Sequence, residues 1–238
     1  MIKTKLFCIP YSGSSATLYS RWKSCLHESI ELCQVEFPGR GQKFSDPLCN
    51  SAGELINYLY DQIENQIYSS PYVLFGHCYG ALLAYELGHK ITELKQCSPQ
   101  HIFFSGRQVP HIGYESTMRG MTEEKLIAEV MTLEGTLKEI FEDEELTKVY
   151  LPILRADLKL AEECQFVAKN DKLDCNITVF VGNQDQYVSD LDIVEWPSYT
   201  KKQCAFYKFQ GGHFFLHNHM EEIVGIINNT ILKNAYCT

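Results

Sequence analysis

A cysteine, an aspartate and a histidine stand in segments of this sequence that suit a nucleophile, an acid and a base. Cys78 lies in G-H-C-Y-G, Asp185 in G-N-Q-D-Q and His213 in Q-G-G-H-F-F-L. A thiolate attacks carbonyl carbons, an imidazole takes and returns protons, and a carboxylate orients the imidazole. These three residues therefore predict covalent catalysis on an acyl group.

The residues around Cys78 predict a sharp turn between a strand and a helix. An apolar strand over Tyr72–Phe75 runs into Gly76, and a helical pattern begins at Ala81. A nucleophile between two glycines in this context is a nucleophile elbow, and the helix N-terminus there favours a thiolate. Most free cysteines are small buried hydrophobic residues, but the strand–turn–helix context favours a nucleophile at Cys78.

The acid and the base each follow a predicted strand. Asp185 and His213 are thus expected at the carboxyl edge of a sheet, where ligands of open α/β folds bind. Asp190 and Asp192 lie farther past the same strand and are the second choice for the acid. His77 is adjacent to the nucleophile on a tight turn, so we expect it to shape that turn.

Two backbone N–H groups are required to stabilise the negative oxygen formed when an acyl group is attacked. One is expected from Tyr79, directly after the nucleophile. The other is expected from Ser12, beside Gly13 in the loop that follows the first strand. A plain turn has the same composition, so this loop is weak evidence by itself.

The spacing H-x-x-x-H-x-H of His213, His217 and His219 invites a metal-site interpretation. No cysteine or acidic ligand joins the three histidines, and His213 is better used as the base. We predict no metal site and no cofactor.

Short apolar runs alternate with helical patterns along the chain, which predicts an α/β fold with a mostly parallel, doubly wound sheet. Several of these strands are too apolar to have a solvated face. The predicted strands are Lys5–Ile9, Leu32–Phe37, Tyr72–Phe75, His101–Ser105, Ile177–Val181 and Ala205–Phe209, and the predicted helices include Ala52–Gln66, Ala81–Lys90 and Glu221–Leu232.

Residues 1–238 are predicted to form a single domain, interrupted by a helical lid over residues 108–171. No convincing strand occurs in that stretch, and its helical patterns are rich in Glu and Lys. An ordinary long crossover is the alternative, and several helices make it less economical.

Composition excludes some classes of function. The net charge of -9 and the lack of Lys/Arg clusters argue against nucleic-acid binding. No apolar run reaches the length of a membrane span, and the N-terminus lacks a signal-peptide pattern. Ten cysteines without a C-x-x-C pair favour reduced thiols and a cytoplasmic location. We expect a monomer.

Four segments together resemble the type II (external) thioesterases of nonribosomal peptide and polyketide synthesis. They are F-C-I-P-Y-S-G-S-S-A-T-L-Y-S-R-W, V-E-F-P-G-R-G, L-F-G-H-C-Y-G-A-L-L-A-Y-E-L and F-Q-G-G-H-F-F-L, and L-P-I-L-R-A-D is similar to the family as well. The resemblance implies an α/β-hydrolase with a helical lid. It also implies hydrolysis of acyl or aminoacyl thioesters from the phosphopantetheine of acyl or peptidyl carrier proteins, which clears wrongly loaded units. The family's triad maps to Cys78, Asp185 and His213, and its oxyanion amides map to Ser12 and Tyr79.

The chain departs from the family at Cys78, where the family usually has serine. Three explanations stay open: a thioesterase with a native thiol, an acyltransferase to an amine or thiol acceptor, and a replacement made to trap an intermediate. Two further hypotheses are a small ester or lactone hydrolase and a non-catalytic carrier-binding protein.

A carrier protein is expected to dock near the lid, on a local basic or apolar patch. The basic candidates are Arg107, Arg119, Lys125 and Arg155. Apolar lid residues are expected either to line an acyl channel or to pack against each other; they are Met118, Leu126, Val130 and Met131.

Overall fold

A six-stranded parallel sheet forms the centre of the protein. The computed structural model describes residues 2–94, 97–112, 118–132, 138–164, 169 and 171–235. The strands are β1 (Thr4–Ile9), β2 (Ile30–Gln34), β3 (Tyr72–His77), β4 (His101–Ser105), β5 (Asn176–Gly182) and β6 (Cys204–Phe209), in the order β2-β1-β3-β4-β5-β6.

Seven α-helices connect or follow these strands in the described part of the chain. They are α1 (Ala52–Ile67), α2 (Tyr79–Glu93), α3 (Glu123–Thr132), α4 (Lys138–Glu142), α5 (Glu144–Glu163), α6 (Asp190–Ile193) and α7 (Met220–Ala235). Short 3-10 helices cover Ala16–Ser24, Gly41–Lys43, Met118–Gly120, Trp196–Tyr199 and Phe215–His217. None of the described helices has the length and apolar character required to cross a membrane.

Both faces of the sheet are covered, which explains why its central strands are apolar throughout. Alternate residues of the strands face opposite sides. Phe7 and Leu74 belong to the cluster that α1 and α2 complete, whereas Leu6 and Phe75 belong to the cluster with α7. The predicted doubly wound α/β architecture is therefore confirmed.

The second strand ends earlier than the sequence predicts. The apolar residues Val35 and Phe37 extend the pattern, but the strand stops at Gln34. Glu36 is turned inward there, and its Oε1 accepts hydrogen bonds from the backbone N–H groups of Ala16 and Phe37. This side-chain acceptor replaces the strand ladder and directs the chain into the P-G-R-G loop.

The segment between β4 and β5 is helical where it is described, with α3, α4 and α5. Met118, Leu126 and Val130 form an apolar cluster with leucines of α5. Of the two roles left open for these residues, packing against each other is the one observed.

The strand order changes direction between β1 and β3. β1 pairs with β2 on one side and with β3 on the other, so successive connections leave in opposite directions from this point. Such a switch point leaves a crevice outside the carboxyl ends of the two strands. The loop with Ser12 follows β1, and Cys78 follows β3. The fold therefore brings these two residues to one crevice.

Candidate active site

Cys78 occupies a strained backbone conformation directly between β3 and α2. Its φ of 53° and ψ of -115° make it the single non-glycine residue with positive φ in the described part of the chain. Such a conformation costs free energy and persists only where the surroundings impose it. The Cys78 N–H donates to the carbonyl oxygen of Ser105 at 2.8 Å, which fixes the turn.

Glycines on both sides of the turn allow this close packing. A Cβ on Gly80 would stand 2.5 Å from the carbonyl oxygen of Pro10, and one on Gly76 would overlap the backbone of Gly80. The start of α2 thus lies directly against the end of β1. The predicted elbow geometry is present, and it places Cys78 next to the loop that follows β1.

His213 lies between Cys78 and Asp185. Its Nδ1 donates to Asp185 Oδ2 at 2.8 Å, because an ionised carboxylate can only accept. The other ring nitrogen is left to interact with Cys78, whose charge acts on the pKa of His213. The side chains of His213 and Asp185 are 8% and 0% exposed, so their hydrogen bond is shielded from water.

The loops that carry Asp185 and His213 are bonded to each other. The Gln184 N–H donates to the carbonyl oxygen of Gly211 at 2.9 Å, and the Gly211 N–H donates to Asn183 Oδ1 at 3.1 Å. Asp185 Oδ1 also accepts from the Tyr187 N–H at 2.8 Å. The carboxylate therefore has two fixed donors, and its distance to the histidine is set by backbone contacts.

Charges in the site stabilise a thiolate–imidazolium pair. Burial raises the pKa of Cys78, but the positive charge and hydrogen bond of His213, the charge of Arg107 and the Tyr79 N–H outweigh burial and lower that pKa overall. Burial lowers the pKa of His213, whereas the Cys78 charge and the bonds to Asp185 and Cys78 raise it to about 10. Both shifts favour the thiolate–imidazolium form of the pair.

Of the two backbone groups expected to bind an oxyanion, that of Tyr79 lies beside Cys78. Tyr79 is the first residue of α2, and its N–H points at the Cys78 sulfur. Ser12 lies in a turn closed by the Ser14 N–H and the carbonyl oxygen of Tyr11, at 3.0 Å. Within the described part of the chain, the Ser12 N–H has no hydrogen-bond partner.

The remaining histidines have separate partners. His77 Nδ1 contacts Ser105 Oγ at 2.9 Å, and its ring packs 5.1 Å from that of His213, centroid to centroid. His217 bonds to the Tyr11 hydroxyl, and His219 bonds to the carbonyl oxygen of Gln210. In the ranges that the structure describes, no group of three metal-binding side chains occurs.

Of the second-choice acids and the basic docking candidates, three have side chains that are not described, and the other three differ in exposure. The side chains of Asp190, Asp192 and Arg119 lie outside the described residues. Arg107 is 3% exposed, so its assignment to a docking surface was wrong. Its sequence neighbours Gly106 and Gln108 give no sign that the chain turns it inward after β4. Lys125 is exposed, and Arg155 donates to the carbonyl oxygen of Met121 within the helical segment between β4 and β5.

A polar pocket of 420 Å³ opens beside His213. Its wall contains the backbone of Gly212 and side chains from the Asp185 loop and from α3. The lining residues are Glu129, Thr132, Gln184, Gln186, Tyr187, Gly212, His213 and Phe214. The volume is within the range of about 300–1,000 Å³ that is typical of small-molecule sites.

Comparison with known proteins identifies the family. The thioesterase domain family matches residues 4–231. The chain belongs to this family. It is 31% identical over 224 residues to the gramicidin S biosynthesis protein GrsT of Aneurinibacillus migulanus, covering 93% of this chain and 86% of that protein. Thioester hydrolysis is the reaction that the family name describes.

Two solved structures extend the comparison to the fold. ClbQ from the colibactin NRPS/PKS pathway has a TM-score of 0.94 and 32% identity, covering 99% of this chain and all of that one. The type II thioesterase BorB from the borrelidin biosynthetic cluster has a TM-score of 0.86 and 32% identity, covering 95% and 92%. The thioesterase is thus an α/β-hydrolase, and the resemblance drawn from its four segments is confirmed at the family level.

Proposed function

We propose that this thioesterase hydrolyses acyl and aminoacyl thioesters carried on the phosphopantetheine of carrier proteins, through a covalent acyl group on Cys78. The observation that carries the proposal is the buried hydrogen bond between His213 and Asp185, together with the mutual effect of His213 and Cys78 on their pKa values. The names of ClbQ and BorB, which place those proteins in synthetic pathways, support the carrier-bound substrate.

Acylation begins with the Cys78 thiolate. The sulfur adds to the thioester carbonyl carbon, and the carbonyl oxygen takes the negative charge beside the N–H groups of Ser12 and Tyr79. The tetrahedral adduct then expels the pantetheine thiolate, which receives the proton of the His213 imidazolium. The products are an acyl group on Cys78, a free pantetheine thiol and a neutral imidazole.

Deacylation uses the same residues, and His213 now acts first as a base. Neutral His213 takes a proton from water while the water oxygen adds to the acyl carbon. Asp185 holds the imidazole in orientation and stabilises the imidazolium that forms. Collapse of this second adduct breaks the bond to sulfur, releases the carboxylic acid and restores the thiolate–imidazolium pair.

The polar pocket suits the departing arm of the substrate. His213 must face the leaving sulfur in order to protonate it, so the pocket that His213 lines is on the leaving-group side. Pantetheine contains two amides and a hydroxyl, and amide side chains from Gln184 and Gln186 line this pocket. An aliphatic acyl chain would lose its hydrophobic contacts there.

Intact-mass analysis after incubation with acylated carrier proteins tests the proposal. We expect a transient mass increase equal to the acyl group on wild-type protein, followed by its loss to water, and no increase on a Cys78→Ala variant. Turnover by the alanine variant would refute the role of Cys78. Higher turnover of small soluble esters than of carrier thioesters would favour an ester or lactone hydrolase, and carrier binding without acyl release would favour a non-catalytic role.

A second candidate function follows from the thiol. An acyl group on sulfur stays reactive toward amines and thiols, whereas an oxygen ester is less so. In the same assay, added amines or thiols that take the acyl group faster than water does would identify an acyltransferase.

A further inference from the structure

The turn that presents Ser12 is held from outside by a side chain of the lid. In the turn Tyr11–Ser14, the Ser14 N–H bonds to the Tyr11 carbonyl oxygen, and Gly13 has a φ of 76°. A positive φ at the third residue is the arrangement of a type II turn. A contact to the central peptide fixes such a turn, and with it the neighbouring Tyr11–Ser12 peptide that carries the Ser12 N–H.

Asp157 provides that contact. Its Oδ2 accepts the Gly13 N–H at 2.7 Å, although the two residues are 144 positions apart in sequence. The Gly13 N–H is part of the central peptide of the turn. Asp157 lies on α5, so a helix of the segment between β4 and β5 determines which way this peptide faces.

Arg40 from the P-G-R-G loop fixes Asp157 and the turn together. Its two terminal nitrogens bind the two Asp157 oxygens at 2.5 and 2.8 Å, in a fork-to-fork pair. Arg40 Nη1 also donates to the carbonyl oxygen of Ser14 at 3.1 Å. The guanidinium therefore holds the last residue of the turn, while the carboxylate holds the third.

The Arg40–Asp157 ion pair is buried, and Arg40 makes a further contact. Arg40 and Asp157 are 6% and 2% exposed. Arg40 also stacks over the Phe37 ring at 5.1 Å. Burying an ion pair costs so much desolvation that stability is weak grounds for retaining one. A positioning role accounts for its place against the turn.

We propose that Asp157 and Arg40 are positioning residues that hold the Tyr11–Ser14 turn in the conformation that presents the Ser12 N–H to the oxyanion. This inference rests on the proposed function. It adds that the turn presents the Ser12 N–H only while α5 is packed against it, because Asp157 is part of that helix.

Two reactions of Cys78 separate this role from a purely structural one. Thioester hydrolysis passes through an oxyanion, whereas alkylation by iodoacetamide displaces iodide and forms none. Both reactions need the folded elbow and the thiolate. A positioning defect at the turn therefore slows hydrolysis alone, and a folding defect slows both.

The test uses Asp157→Asn in the full chain, with an acyl-pantetheine substrate and iodoacetamide in parallel. We expect kcat for hydrolysis to fall about 10- to 100-fold, by analogy with loss of an oxyanion donor, with KM and the alkylation rate of Cys78 unchanged. Equal losses in both reactions, or an unchanged kcat, would overturn the inference. Inactivity of the wild-type protein toward every thioester would instead count against the proposed function.

Arg40→Lys is the second variant, because it keeps the charge but cannot form the forked pair. We expect the same selective loss of hydrolysis. Glu86→Gln is the matched control, because it breaks another largely buried ion pair, Glu86–Lys169, that includes no residue of the turn. Both of its rates should equal those of the wild-type protein, and a selective loss of hydrolysis in this control would also contradict the inference.

Discussion

The lowered pKa of Cys78 predicts that Cys78 is alkylated at a pH where other cysteines of the chain react slowly. Its pKa is lowered from the ordinary 9.0, whereas burial raises the pKa values of Cys33 and Cys49 to about 11. A pKa of 11 leaves about 0.01% thiolate at pH 7, and a pKa below 9.0 leaves more than about 1%. Cys78 therefore has at least about a 100-fold advantage in thiolate fraction.

Intrinsic nucleophilicity offsets part of this advantage, because it falls as the thiol pKa falls. With a Brønsted slope of about 0.4–0.5, two pKa units cost roughly tenfold in reactivity. A net advantage of about tenfold over Cys33 and Cys49 remains at pH 7. Exposed Cys97 is outside this comparison and is replaced in a Cys97→Ser background.

The pH dependence of Cys78 alkylation follows from the shifted pKa values of Cys78 and His213. The lowered pKa of Cys78 means that the thiolate is retained as pH falls from 9.0 and is lost only when pH passes through that lowered value. The raised pKa of His213 means that the imidazolium persists as pH rises until about 10. Between these limits the alkylation rate of Cys78 should form a plateau.

The assay measures alkylation of each cysteine by peptide mass spectrometry over a range of pH. Replacing the histidine in His213→Gln removes the main charge that lowers the pKa of Cys78, while burial still raises it. We expect the midpoint of the curve of Cys78 alkylation rate against pH to rise by at least about one pH unit. The alkylation rate of Cys78 at pH 7 should fall at least about tenfold. A wild-type midpoint at or above 9.0, or a midpoint that the variant does not move, would refute this reasoning.

Three other changes test separate parts of the site. Asp185→Asn should lower kcat by up to about 10⁴-fold without unfolding the protein, because the histidine loses its orientation while the Tyr187 N–H keeps an acceptor. Gly80→Ala should destabilise the fold by about 1–3 kcal/mol in chemical denaturation, since its Cβ would overlap the Ile9 and Pro10 carbonyl groups. Gln186→Ala should raise KM for acyl-pantetheine and leave KM for an acyl-N-acetylcysteamine thioester unchanged, because we expect only the longer arm to extend as far as Gln186.

Each of these changes has a contrary outcome. An Asp185→Asn enzyme with near wild-type kcat would remove Asp185 from the triad and leave Cys78 and His213 in place. An unchanged denaturation midpoint for Gly80→Ala would mean that the elbow relaxes easily, and Gly53→Ala, at a glycine with open space, is its control. Equal effects of Gln186→Ala on both thioesters would place the pantetheine arm elsewhere.

The sequence predicts the sheet well because strands buried on both sides are apolar along their whole length. The predicted His101–Ser105 matches β4, and the central strands differ by a residue or two at their ends. The error at β2 has a tertiary cause. Val35 and Phe37 are as apolar as strand residues, but the Glu36 carboxylate provides the hydrogen-bond acceptors that direct the chain out of the sheet.

The site was predictable only where its residues follow strands. Cys78, Asp185 and His213 can be found because carboxyl ends of parallel strands meet at one edge. Arg40 and Asp157 gave no comparable signal, since their contact joins residues 117 positions apart and charged residues are normally solvated. Their place inside the mainly apolar segments V-E-F-P-G-R-G and L-P-I-L-R-A-D was the available hint.

A thiol at the elbow gives the leaving-group pocket a second use. In the proposed reaction the pantetheine thiol departs on the side that His213 lines, and the nucleophile that ends the reaction must give its proton to the same imidazole. That nucleophile would therefore enter through the space that pantetheine has left. An acyl group on Cys78 would be a thioester, which distinguishes poorly between water, amines and thiols by reactivity alone. What occupies the pocket beside Gln186 after pantetheine departs then determines whether the acyl group is hydrolysed or transferred.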